Sequence, residues 1–264
     1  MKRYGLISAA MAMGLAVSAQ INSPANEGML SRGYEMAAHG NYAGALDQLR
    51  TVDRSALSPD SRRDTDMAEA LWLYGAGRYA EARTAFAAYM SRYPQLPMLQ
   101  AAAKGVADCL YASGDYAEAL VAYDAVMPGG LTSAGAAEYF YRKGVAALES
   151  GKTDKARKAF TEAATYASTR SAASFYLGRI AFDEGDYGAA RERFRMVNTA
   201  VAPGDMTDCY LAAIDFAEGN YSRALSTARQ GLRRSGLPAE ATAELNRIAG
   251  ESLFRQGDLS EACG

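Results

Sequence analysis

Gly114-Asp115-Tyr116-Ala117-Glu118-Ala119 is the stretch that decides the reading of this 264-residue chain. Glycine adopts at little cost the left-handed conformation that ends a helix, and the aspartate after it can cap the next one. The segment reads as helix, turn, helix. Outward from it the pattern returns as Gly40-Asn41-Tyr42, Gly77-Arg78-Tyr79, Gly151-Lys152-Thr153, Gly185-Asp186-Tyr187, Gly219-Asn220-Tyr221 and Gly257-Asp258-Leu259. Successive glycines are 37, 37, 37, 34, 34 and 38 residues apart, the period of a stacked array. Five residues after each glycine stands an alanine: Ala45, Ala82, Ala119, Ala156, Ala190, Ala224 and Ala262. Seven residues before each stands Gly33, Ala70, Ala107, Gly144, Gly178, Ala212 or Gly250. Small side chains at both sites let two antiparallel helices close on each other across the turn. Nine residues after the glycine come Leu49, Phe86, Tyr123, Phe160 and Phe194, which fill the wider space beyond, and Ala228 breaks the rule.

Composition agrees with a helical fold. The chain holds 55 Ala against 8 Val and 5 Ile, and Ala is the best helix former while β-branched residues stock sheets. Hydrophobic residues make up 49% and charged residues 22%, enough to bury a large core. Lys and Arg number 28 and Asp and Glu 30, for a net charge of −2. With no basic excess and no run of Lys and Arg longer than two, the sequence gives no sign of nucleic-acid binding.

The set of small residue, Gly-Asp-Tyr turn, alanine and then aromatic at this spacing resembles the tetratricopeptide repeat family, over roughly Asn26 to the end. Tyr93-Pro94 is similar to the family's helix-ending proline, and Ala80-Glu81-Ala82 to its second-helix opening. Where the family carries an early Trp the chain has Met29, Asp66, Ala103, Phe140, Ser174, Asp208 and Asn246. A second class of short helical hairpins shares periods in the high thirties, but the two 34-residue steps and the turns argue against it. The resemblance implies an all-α, right-handed superhelix of antiparallel helix pairs, an α-solenoid. Its repeats would cover approximately 26–62, 63–99, 100–136, 137–170, 171–204, 205–242 and a partial 243–264, within an array from 20 to 264.

The resemblance also implies binding, not catalysis, along a concave side lined by the first helix of each pair. Positions ten, six and three before the turn glycines offer Tyr74, Tyr111, Tyr141, Phe175, Arg179, Phe182 and Phe216, with Tyr176 and Tyr210 beside them. Aromatics give contact area at low rotamer cost and arginine pairs with carboxylates, which suits a protein or extended peptide partner. The same aromatics also serve packing in the family. A glycan stacked on these rings is the alternative, and exposure of the single Trp72 would favour it. The Lys, Arg and Asn clamp by which some family members hold acidic tails is not expected, because Leu30, Tyr34, Ala68, Ala101 and Gly105 occupy comparable inward sites. No catalytic, metal or cofactor site is expected. His39 is the only imidazole and precedes a helix-ending glycine, while Gly129-Gly130 reads as a loop between repeats.

At the amino terminus, Lys2 and Arg3 precede an uncharged stretch from Gly5 to Leu15 and the small residues Val17 and Ala19. This is the pattern of a signal peptide, 1–19, cleaved after Ala19, and it places the product in the periplasm or the medium; an uncleaved first helix is the alternative. No later stretch reaches the length of a spanning helix. Cys109, Cys209 and Cys263 form no disulfide pattern. The seventh repeat stops at Gly264, so either the array continues in a longer protein or an end-to-end contact between copies covers the Leu245, Ile248 and Leu253 side.

Overall fold

The structure, a computed structural model, describes residues 24–95, 98–200 and 204–258. The segment 1–19 expected to be a signal peptide, Leu259, Ala262 and Cys263 lie outside the described residues. Among the described residues there are thirteen α-helices and no strand. They run α1 (Pro24–Ala38), α2 (Tyr42–Arg50), α3 (Pro59–Gly75), α4 (Tyr79–Arg92), α5 (Leu99–Ser113), α6 (Tyr116–Asp124), α7 (Ser133–Glu149), α8 (Thr153–Ala163), α9 (Arg170–Asp183), α10 (Tyr187–Phe194), α11 (Thr207–Ala217), α12 (Tyr221–Leu232) and α13 (Ala239–Gln256). The chain forms two compact units, one ending at Lys152 and one beginning at Thr153. In the first, consecutive helices from α1 to α7 pack on one another, and α5 also packs on α3 and α7. In the second, α8 to α13 pack in the same way, and α11 also packs on α9 and α13. Within each unit this is the packing of an α-solenoid, as the sequence pattern anticipates.

The turns explain why the repeat is so regular. All seven turn glycines are left-handed, with φ between 69° at Gly151 and 85° at Gly114. After each glycine the next backbone N–H reaches back to the carbonyl five residues earlier, as in Asn41 to Met36 and Asp115 to Leu110. That bond satisfies a carbonyl the helix end would leave orphaned. The capping role of the following Asp or Asn holds only in part. Asn41 accepts from the Gly44 N–H and Asp186 from the Ala189 N–H, but Asp115 and Asn220 make no such bond. The backbone bond, not the side-chain cap, is the constant feature.

The six described alanines after the turns, Ala45, Ala82, Ala119, Ala156, Ala190 and Ala224, are fully buried. The helix-closing glycines are as tight: a Cβ on Gly33 would stand 3.0 Å from the Trp72 ring and one on Gly178 2.8 Å from Phe194. Phe86, Tyr123, Phe160 and Phe194 are buried as the large residues beyond. At Ala228 the exception is made good by Leu245 and Ile248 of α13, which share its core cluster. Leu245, Ile248 and Leu253, the side expected to be covered at the end of the array, are buried within the chain; the exposed large apolar residue of α13 is Phe254.

Two of the residues that replace the family's early Trp form the same ion pair. Asp66 of α3 accepts from Arg92 and Tyr93 at the end of α4, and Asp208 of α11 accepts from Arg234 just past α12. In these two repeats a carboxylate on the first helix, midway along α3 and in the first turn of α11, thus ties down the end of the second helix. At these two positions, where indole would fill the gap by bulk, charge closes it.

Candidate functional site

In the first unit, α3, α5 and α7 bring a ring of polar and aromatic side chains together. Lys104 and Asp108 on α5 and Glu138 and Arg142 on α7 stand four residues apart on their helices, so each pair lies on one helical face. Lys104 Nζ bonds Asp108 at 2.6 Å and Glu138 at 2.7 Å. Arg142 Nη1 lies 3.1 Å from Asp108, and its Nη2 reaches Glu138. Tyr123 of α6 donates its hydroxyl to Asp108 at 2.6 Å. The Arg142 guanidinium also donates to the Tyr74 hydroxyl at 2.9 Å, and it lies 5.9 Å and 5.7 Å from the ring centres of Tyr74 and Tyr111. Two tyrosine rings thus lie within cation–π distance of one arginine, which favours the cation.

Four charged side chains sit here with three of them, Lys104, Asp108 and Arg142, almost wholly shielded from solvent. Burial alone would raise the Asp108 carboxyl, but Arg142 and Lys104 outweigh it and hold the group below the ordinary carboxylate range. The Arg142 guanidinium loses hydration on burial, yet Asp108 and Glu138 raise its pKa well above the ordinary value. Burial raises the Tyr74 and Tyr123 hydroxyls. The cluster is neutral as a whole, and each cation already has two carboxylates. Two cations do stand on neighbouring first helices, which the inward-site reading missed, but they are occupied from within. An acidic tail would have to displace Asp108 and Glu138 to be held.

The sequence carries a signal for this network. Lys104 and Asp108 stand ten and six residues before Gly114, the same inward positions that select the aromatic set, and Glu138 and Arg142 follow 34 residues after them. Opposite charges four residues apart on successive first helices are the cue, with Glu138 and Arg142 three residues out of the repeat register, thirteen and nine before Gly151.

The second unit builds its first-helix face from aromatic rings. Phe194 of α10 stacks on Tyr210 of α11 at 5.4 Å with an interplanar angle of 20°, and Phe175 of α9 meets both edge-on or tilted. Phe182 packs on Tyr210 at 5.2 Å, and Phe160 of α8 stacks on Tyr176 at 4.8 Å. Phe175 is only 4% exposed, so it is a core residue and offers no surface to a partner. Tyr210 is half-buried, and burial raises its hydroxyl. Arg179 remains about two-fifths exposed, with Asp183 3.9 Å away.

Four of the sequence-selected aromatics share one local role. Tyr74, Tyr111, Phe182 and Phe216, three residues before a turn glycine, each pack on the tyrosine two residues after it: Tyr79, Tyr116, Tyr187 and Tyr221, with ring centres 5.3 to 5.8 Å apart. All eight rings are half-buried. Tyr141 is likewise half-buried on α7. Trp72 is 2% exposed, packed edge-on against Tyr34 at 5.2 Å.

Other chemistry is sparse. His39 is exposed beside the first turn. Cys109 and Cys209 are buried free thiols, pushed up by burial to about 12 and about 11. A groove of about 550 Å³ between α2, α3 and α4 is lined by Arg50, Arg54 and Arg78, but Asp47, Asp66 with Glu69, and Glu81 already pair with them. No helix among the described residues is long and apolar enough to cross a membrane.

The tetratricopeptide repeat profile matches residues 67–129, 141–203 and 211–263. A solved tetratricopeptide repeat protein from Parabacteroides merdae is similar over 90% of this chain and 89% of its own, at 15% identity and a TM-score of 0.60. The Cut9–Hcn1 hetero-tetramer of the APC/C matches over 90% of this chain and 53% of its own, at 16% identity and a TM-score of 0.47. No curated protein matches the sequence.

Proposed function

The chain belongs to the tetratricopeptide repeat family, whose repeats serve as protein–protein interaction scaffolds, and from that premise we propose that it is an exported, non-catalytic scaffold of the cell envelope or secreted fraction. It takes a protein or extended peptide partner along its first helices. The observation that carries the reading is the set of half-buried rings on those helices. Tyr74 and Tyr111 in the first unit and Phe182 and Phe216 in the second pack on the tyrosine across their turn, and Tyr141 is half-buried, so a partner would meet aromatic surface at little entropic cost. In the first unit the buried ion network below fixes the spacing of α3, α5 and α7, which preorganises that surface. Export rests on the pattern of Met1 to Ala19. Burial of Trp72 leaves the glycan reading without a structural observation in its favour.

The experiment is affinity capture from the exported fraction of the native host with the chain from Gln20 as bait, proteins and glycans both being identified. The expected result is a saturable protein partner whose binding is weakened by Tyr141→Ala while the fold is retained. Capture of glycan alone would overturn the reading in favour of the carbohydrate one. Export is checked separately: the protein recovered outside the cytoplasm should begin at Gln20.

A further inference from the structure

Two tyrosines of the first unit recur in step with its repeat. Tyr74 and Tyr111 stand three residues before Gly77 and Gly114, and Leu148 holds the same place before Gly151, so α3, α5 and α7 each offer one apolar side chain at intervals of 37 residues. All three are half-buried. Each tyrosine has a second ring against it across its turn, Tyr79 at 5.4 Å and Tyr116 at 5.5 Å. Because α5 packs directly on both α3 and α7, the step from one first helix to the next is a single helix-packing distance, about 8–10 Å. The step is short enough for one guanidinium, that of Arg142, to reach both ring centres, at 5.9 Å and 5.7 Å.

The hydrogen-bonding state of this surface is as specific as its spacing. Lys104, Asp108, Glu138 and Arg142 spend their charges on one another, and Tyr123 donates to Asp108 as well. The Tyr74 hydroxyl accepts from Arg142, so its own proton is left for another acceptor. A peptide laid here meets aromatic rings and a hydroxyl donor, and the network below holds no unspent charge for it.

Resting on the first-helix reading above, we propose that this surface takes a proline-rich segment of the partner in the polyproline II conformation, laid across α3, α5 and α7. Such a segment turns once every three residues and rises about 3.1 Å per residue, so the same face returns about every 9.3 Å, one first helix further on. A β-strand returns the same face about every 6.6 Å and falls out of step after one helix. Proline has no N–H, so no donor is left unsatisfied over carboxylates that are already taken. Its carbonyls, unused within a polyproline helix, are free to accept from a tyrosine hydroxyl. The preformed segment also loses little entropy on docking against aromatic rings. A charged segment, by contrast, pairs with nothing here unless it breaks the network.

The test is a binding titration of the full chain with a labelled decaproline peptide, beside Gly-Ser, glutamate-rich and lysine-rich peptides of equal length. Saturable decaproline binding that holds as salt is raised, exceeds that of the other three peptides, and falls roughly tenfold in Tyr111→Leu supports the surface. Leucine keeps apolar bulk at the site and removes the ring; if that variant does not fold, Tyr116→Leu carries the same test. Tyr74→Phe keeps the ring and should weaken binding only about threefold, the share of one hydrogen bond. No decaproline binding, equal binding of the Gly-Ser peptide, or binding unchanged in every folded leucine variant would overturn the proposal. If decaproline is inert while the captured partner is still weakened by Tyr141→Ala, the proline-rich segment alone is rejected. If the captured partner ignores Tyr141→Ala and every other tyrosine variant, the first-helix reading fails and this one with it.

Discussion

The first-helix faces of the two units start from the same repeat and are held by opposite physics. In the first, α5 and α7 meet through Lys104, Asp108, Glu138 and Arg142, four charges that satisfy one another beneath tyrosine rings. In the second, α9 and α11 meet through Phe175, Phe194 and Tyr210, which share no charge. The turn, the small-residue contact and the left-handed glycine are common to both, so the repeat fixes how a helix pair closes and leaves open how neighbouring pairs adhere. An ionic junction is directional and depends on every member; an aromatic junction tolerates loss of polar detail but not of volume.

The largest expected effects come from breaking each junction. Arg142→Ala leaves the buried Asp108 and the half-buried Glu138 with Lys104 alone, and removal of one partner of a buried pair costs about 3–5 kcal/mol. Phe175→Ala opens a cavity among rings at a similar cost of about 3–5 kcal/mol. Denaturant unfolding of the full chain should show both losses, and a double replacement of the network by apolar residues of matched volume should recover much of the first.

A change of pH should separate the junctions next. The Asp108 carboxyl is held below its ordinary value in the folded state, so its contribution is present above the unfolded carboxylate range and is lost as pH falls through the lower, folded value. Amide exchange in α5 and α7 should therefore accelerate on acidification below about pH 4, and the acid sensitivity of those helices should be absent once Asp108 and its partners are replaced by apolar residues.

Smaller effects test what the two units share. A Cβ on Gly105 would stand 2.6 Å from the Phe86 ring, and one on Gly178 2.8 Å from Phe194. Gly105→Ala and Gly178→Ala should each cost about 1–3 kcal/mol by overpacking, less the fraction of a kcal/mol that alanine gains in a helix. Smallest are the caps: Asp186→Ala should lose about 1 kcal/mol with its bond to the Ala189 N–H, whereas Asp115→Ala, which makes no cap bond, should change melting little.

Much of this was legible before the structure. The glycine, the alanine five residues on and the large residue nine residues on each answer to a single local constraint, and such constraints survive in sequence because nothing else can satisfy them. Asp115 and Asn220 show the limit: residue type permits a cap, but the backbone bond across the glycine already orders the turn, so the side chain is left without that task. The aromatic set was legible as residues and not as surface. Phe175 and Tyr141 occupy the same position in neighbouring repeats, yet Phe175 is enclosed by Phe194 and Tyr210 while Tyr141 stays half-buried. That difference depends on which side chains the next helix supplies. The ion network was legible only as two opposite-charge pairs for the same reason, since Lys104 and Asp108 look solvated until Glu138 and Arg142 are placed against them.

The central claim is that a protein partner is received on the first helices. Hydrogen–deuterium exchange of the full chain with its captured partner tests it most directly. The account predicts added protection of amides in α3, α5 and α7, with the effect reduced in Tyr141→Ala; unchanged exchange in these three helices on saturation with partner would contradict it.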